Sequence, residues 1–299
     1  MSTHAQPNPV EGATFWRDAL AWRGAITPRL LPRIALFGVY ALLIAYVHGA
    51  AEWQGVDPIH LGYTGGLLAV LLVFRTNATY DRWWEARKLW GGIVNQSRNL
   101  AVKGLEHGPQ DPRWAEAFVR TAAAFCHASR MSLRGERAIE ALERVLADRE
   151  LAERIVGARH MPTAVARRLT RLLRQARADA SIDGFTLLAV DRELAMLIDH
   201  IGGCERILRT PTPRVHSIKL RRFILLYLLG LPLALASSSP WVSPVATMLV
   251  AYPLLAIDQI GHELENPFSQ RRASHLPLDA ICETIEIDLL ALLADRAEC

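Results

Sequence analysis

Gly66, Val70, Phe74, Asn77 and Asp81 recur at helical spacing. At roughly 100° per residue they share a sector of about 80° on one helix face. The small or apolar positions come first; an amide and a carboxylate follow, one and two turns further on. Copies of such a helix set around an axis would stack narrow apolar rings above polar and acidic ones. Apolar constrictions gate ions by dewetting, and acidic rings favour cations. A competing reading makes the stripe a packing face, with Gly66 allowing a neighbouring helix to approach closely. A pore also demands a symmetric oligomer, because a four-helix subunit has little room for a channel of its own.

Chemistry of other kinds is sparse. The sequence has no Gly-rich phosphate loop, no Gly-x-Ser-x-Gly elbow and no His-Glu-x-x-His. Its 10 histidines are scattered, and His127, His200 and His216 read as surface or satisfied core residues. His262, Glu263 and Glu265 in "GHELENPF" cluster near Asp258. They could hold a metal, although a solvated helix end is the commoner reading. No nucleophile stands beside a base. Neither a catalytic residue, a metal site nor a cofactor is therefore expected. Cys126, Cys204, Cys282 and Cys299 are far apart and never form Cys-x-x-Cys, which points to free buried thiols in a reducing compartment.

The elements that must position the stripe are four runs free of Asp, Glu, Lys and Arg: 34–50, 59–74, 223–239 and 241–257. Each sits at the short edge of the roughly 17–25 residues a spanning helix needs. Arg29 and Arg33 precede the first run, and Arg75, Arg82, Arg87 and Lys88 follow the second. Arg214, Lys219, Arg221 and Arg222 precede the third, and Arg271 and Arg272 follow the fourth. The connections 51–58 and 238–242 carry no Lys or Arg. This is the positive-inside pattern of two hairpins whose tips face away from the cytoplasm. Trp22, Trp53 and Trp241 fall near the interfaces. The first thirty residues lack a secretory signal, so both termini are expected in the cytoplasm.

The middle segment reads as soluble helices. Trp114, Phe118, Ala122 and Cys126 mark an amphipathic stripe at i, i+4, i+8 and i+12. "AIEALERVLADRELAERIV" alternates Glu and Arg as a solvated face with local ion pairs. Residues 163–180 carry five arginines beside an apolar face. A nucleic-acid surface is not expected there: aromatic interleaving is missing, and Glu-rich neighbouring helices could neutralise the charge. The helical pattern of 185–208 is interrupted at Gly202 and Gly203.

Three ordered blocks carry a family resemblance: "FRTNATYDRWWEARKLWGGIVNQSRNLA" at 74–101, "CERILRTPTP" at 204–213 and "ENPFSQRRASHLPLDAICETIEIDLL" at 265–290. Together they resemble the bestrophin family, especially its bacterial branch. The resemblance implies an all-α membrane protein with four transmembrane helices per subunit, a helical cytoplasmic domain and a homopentameric assembly around one central pore. Segment boundaries follow as a cytoplasmic N-terminal segment 1–30, a hairpin 31–80 with the pore-lining helix, a cytoplasmic domain 81–220, a second hairpin 221–260 and a C-terminal segment 261–299. Aligned through the Phe-Arg and Arg-Trp-Trp motifs, the family's pore neck maps to Gly66, Val70 and Phe74, the stripe already found from helix spacing. The cytoplasmic aperture maps to Thr212 in the Pro-x-Pro stretch.

Gly66 and Thr212 replace bulky aliphatic residues common at those positions. Basic "SQRRASHLPLD" stands where the calcium-clasp acidic run of animal members would be, which argues against calcium gating. The expected function is passive conduction of small monovalent ions, chloride or sodium, across a bacterial inner membrane. Asn77 and Asp81 point toward cations. The expected partners are these ions, membrane lipid and further copies of the chain. A secondary transporter and a membrane-anchored helical interaction module are the alternatives. Pro232 and Pro253 permit the kinks a transporter needs, but no inverted repeat is visible.

Overall fold

The computed structural model describes residues 16, 20, 26–51, 57–236 and 241–298. Trp22, Trp53, Cys299 and residues 237–240 of the third apolar run lie outside the described residues. The described chain forms ten helices and no strand. They are α1 (Thr27–Ala51), α2 (Pro58–His107), α3 (Pro112–Arg134), α4 (Ile139–Leu146) and α5 (Arg149–Gly157), followed by α6 (Met161–Ala178), α7 (Gly184–Arg209), α8 (Arg214–Ala234), α9 (Val242–Leu264) and α10 (Leu278–Glu298). The chain divides into two compact units, Met1–Asn77 with Pro213–His262, and Ala78–Thr212 with Glu263–Cys299.

The first unit holds α1, the start of α2, α8 and most of α9. Among the described residues, Thr27–Ala51, Ile59–His107 and Val242–Leu264 are long and apolar enough to cross a membrane. Helix α8 does not join them: Arg214, Lys219, Arg221 and Arg222 crowd its first half, and the end of its apolar run lies outside the described residues. The interior is a small apolar cluster of Leu68, Leu72, Leu220, Ile224, Leu228 and Ala251. Close helix approach depends on two glycines. A methyl group at Gly38 would sit 2.7 Å from Met248 Sδ, and one at Gly65 would sit 2.7 Å from Tyr227 Oη. Tyr40 Oη donates to the Leu229 carbonyl at 3.1 Å, tying α1 to α8.

The second unit has an extensive apolar core. Trp90, Ile93 and Leu100 of α2 join Phe118 and Phe125 of α3, Leu169 and Leu173 of α6, and Cys282 and Ile285 of α10. The predicted stripe of α3 is buried throughout. Gly104 makes room for the Phe118 ring, which would lie 2.1 Å from a Cβ there. Aspartates supply the helix starts: Asp111, Asp148 and Asp183 accept from the amides of Arg113, Leu151 and Thr186. Gly135 closes α3 in the left-handed region at φ 72°, a conformation that glycine adopts without a Cβ clash.

The expected ion pairs of α4 and α5 are present, with Arg149 to Glu153 at 3.1 Å and Arg154 to Glu150 at 3.0 Å. Those carboxylates are engaged locally rather than with α6. Arg167, Arg171 and Arg174 are exposed and make no ion pair among the described residues. One further expectation changes. Gly202 and Gly203 do not end α7; a Cβ at Gly203 would meet Leu89 at 2.9 Å, so that glycine serves close packing. Trp83 and Trp90 are packed residues, Trp83 donating its indole N–H to the Ser274 carbonyl at 2.8 Å, but Trp84 is half exposed.

Cys126, Cys204 and Cys282 are free and buried. Burial pushes the Cys204 thiol up to about 12, and it raises Cys282 well above the usual thiol range.

Candidate pore-lining face and aperture

Helix α2 has no proline after its first residue and runs unbroken to His107. Its two faces differ. Leu68, Leu72, Arg75 and Thr79 are buried, at i, i+4, i+7 and i+11. Gly66, Val70, Phe74, Asn77 and Asp81 all lie on exposed positions, with Val70 51% and Phe74 67% accessible. Exposure continues along the stripe to Tyr63 and sideways to Leu67 and Val73, so the free apolar face is longer and wider than the predicted stripe.

The role read for Gly66 as a packing contact belongs to its neighbour. A Cβ at Gly66 would meet nothing within 4 Å, whereas Gly65 faces Tyr227. One residue, or roughly 100° of helix turn, separates the glycine that admits a helix from the glycine that faces outward.

Arg75, which immediately follows Phe74, points inward and is 4% exposed. Its guanidinium pairs with Asp258 of α9, and Asp258 also accepts from Arg221 Nε of α8 at 3.0 Å. The carboxylate thus joins three helices of the first unit. A buried ion with its partner in place is costly to break, by about 3–5 kcal/mol. The pair also fixes which face of α2 is turned out. No apolar pattern could announce it, because the partners are 183 residues apart. An ionisable residue at the end of an apolar run was the available signal.

Thr212 lies in the second unit, in the short link after α7. Its hydroxyl donates to Glu265 Oε1 at 3.0 Å. Arg82 clamps the same place, with Nη1 donating to the Thr210 carbonyl at 2.6 Å and Nε donating to the Glu265 carbonyl at 3.2 Å. Glu85, three residues after Arg82, and Arg206, four residues before Thr210, form an ion pair at 2.6 Å. The grouping of His262, Glu263 and Glu265 near Asp258 suggested by sequence resolves, for its three carboxylates, into separate tasks. Asp258 holds arginines, Glu263 accepts from the Ala273 amide at 2.9 Å, and Glu265 holds Thr212.

Comparison with known proteins agrees along nearly the whole chain. The family described as Bacterial/Fungal Bestrophin protein matches residues 6–291. A voltage-dependent anion channel-forming protein of Mesorhizobium japonicum is 36% identical over 278 residues, covering 91% of this chain and 88% of that protein. The protein of the same description from Escherichia coli is 30% identical over 284 residues, covering 94% and 92%. A crystallised variant of a bacterial bestrophin homologue from Klebsiella pneumoniae superposes with a TM-score of 0.82 at 27% identity, covering 88% of this chain and 98% of that one. The chain belongs to the bacterial and fungal bestrophin family.

Proposed function

We propose that this chain is the subunit of a homopentameric ion channel that passively conducts small monovalent ions across a bacterial inner membrane. The observation that carries the reading is the outward face of α2, where Val70 and Phe74 stand free above Asn77 and Asp81. Copies of this face around an axis give an apolar neck at Gly66, Val70 and Phe74, with a polar vestibule below it. The second constriction lies at Thr212. Relatives named as channel-forming proteins, with no enzyme among those compared above, support conduction rather than catalysis.

In this reading the third apolar run, 223–239, most of which α8 carries, is the fourth span. The spanning hairpins cover 31–80 and 221–260, while 1–30, 81–220 and 261–299 lie in the cytoplasm, and lipid surrounds the apolar faces. A pentamer in detergent and single-channel currents in planar bilayers are the expected results. If neither the native protein nor the Val70→Ala and Phe74→Ala variants pass current, the channel reading fails.

Asp81 is the one charge among the five stripe residues, with exposed Lys88 continuing the same face two turns further on, whereas Arg75 is turned inward onto Asp258. This charge pattern favours cations. Anion conduction is the second reading, supported by the names of the relatives from Mesorhizobium and Escherichia. Reversal potentials in asymmetric sodium chloride separate the two.

A further inference from the structure

We propose that Glu265 and Arg82 set the charge selectivity of the aperture at Thr212. The proposal rests on the channel reading above and goes beyond it, by assigning selectivity at that constriction to a specific pair of opposite charges.

Thr212 is a polar residue whose hydroxyl is already committed to the Glu265 carboxylate at 3.0 Å. A ring of Thr212 side chains therefore brings a ring of carboxylates with it, each one hydrogen bond behind the lining. The guanidinium of Arg82 is anchored to the backbone on both sides of this contact, at the Thr210 and Glu265 carbonyls. Its own charge stays close by and opposes that of the acid. A narrow, partly dehydrated passage amplifies such fixed charges, because opposite and like charges interact more strongly where water is scarce. Ion preference at the aperture is then a balance: the Glu265 carboxylate draws cations, and Arg82 limits how strongly it does so. Thr212 supplies the geometry, holding the carboxylate oxygen at the lining.

Neutral substitutions of opposite sign test this. Glu265→Gln keeps an oxygen that accepts from Thr212, so the local structure is preserved while one negative charge per subunit is removed. Arg82→Gln removes one positive charge. The cation-to-anion permeability ratio, read from reversal potentials in a tenfold potassium chloride gradient, should fall several-fold in Glu265→Gln and rise in Arg82→Gln. Thr212→Val, which keeps both charges but frees the carboxylate from the lining, should lie between the native protein and Glu265→Gln.

Movement in opposite directions distinguishes a charge effect from distortion, which would move both variants alike. Conducting Glu265→Gln channels with the native ratio overturn the proposal and leave the channel reading intact. If Glu265→Gln does not assemble, an unchanged ratio in both conducting Arg82→Gln and Thr212→Val channels overturns it equally. Absence of current in the native protein and in Phe74→Ala overturns the channel reading, and the proposal with it.

Discussion

Phe74 in the first unit and Phe118 in the second are the same side chain on long helices of one chain. Phe118 is fully buried, stacked on Trp114 with ring centroids 4.8 Å apart, inside a large apolar core. Phe74 is two-thirds accessible, in a unit whose largest apolar cluster is small and is accompanied by an arginine–carboxylate network. A protein surrounded by water hides its apolar groups from solvent. In a bilayer that incentive vanishes, so close contacts at small residues and buried polar links hold helices together instead. The first unit shows both devices, at Gly38 and Gly65 and at Asp258. Free phenylalanine is thus a defect in one unit and, in the other, available to the neck proposed above.

The contrast can be broken most forcefully in the second unit. Phe118→Ala should lower unfolding stability by about 3–5 kcal/mol, measured by denaturant titration in detergent. Asp258→Ala should cost a similar amount in the first unit, because Arg75 and Arg221 lose their shared carboxylate. A loss below about 1 kcal/mol would show that the network is not what holds those helices.

Next comes pH. Burial, with Arg130 and Arg144 nearby, lowers the His127 pKa from 6.5 to about 4, against the opposing pull of Glu283 and Asp279. Glu286 Oε2 lies 3.0 Å from its Nε2 but does not form an aligned hydrogen bond. Glu286 also accepts from Arg144 at 3.1 Å, so its charge is shared. The folded histidine is neutral above about pH 4, while the unfolded one takes a proton below about 6.5. Stability should therefore be full above pH 6.5 and fall as pH drops toward 4, by at most roughly 3 kcal/mol. His127→Gln should flatten this slope.

Adjacent glycines give the next contrast. Gly65→Ala meets Tyr227 Oη and should destabilise by about 1–3 kcal/mol. Gly66→Ala meets nothing within the chain, so it should stabilise the helix by up to about 1 kcal/mol while narrowing the upper neck. Smallest in stability is Phe74→Ala, expected within about 0.5 kcal/mol of native but with raised conductance. A cost comparable to that of Phe118→Ala would make Phe74 a core residue.

Much of this was legible in sequence because it repeats locally. The α3 stripe, the ion pairs of α4 and α5 and the unbroken course of α2 depend on neighbours within a few turns. The outward stripe was likewise read from spacing, and its exposure follows. What sequence concealed depends on partners far apart in the chain. The inward turn of Arg75 needs Asp258, and the hold on Thr212 needs Glu265, 53 residues away. The exchange of roles between Gly65 and Gly66 needs Tyr227, which packs against Gly65. For the arginines of α6 composition is silent for another reason: it counts glutamates without revealing which arginine each one already holds.

The buried thiols have a practical consequence. Maleimides and methanethiosulfonates react with accessible thiolates, and Cys126, Cys204 and Cys282 offer none while the protein stays folded. With Cys299 replaced, a single cysteine placed at Gly66, Val70, Phe74, Asn77 or Asp81 would be labelled against a silent background. The rate at each position, with label added from one side of the membrane and then the other, would trace the ion pathway one helical turn at a time.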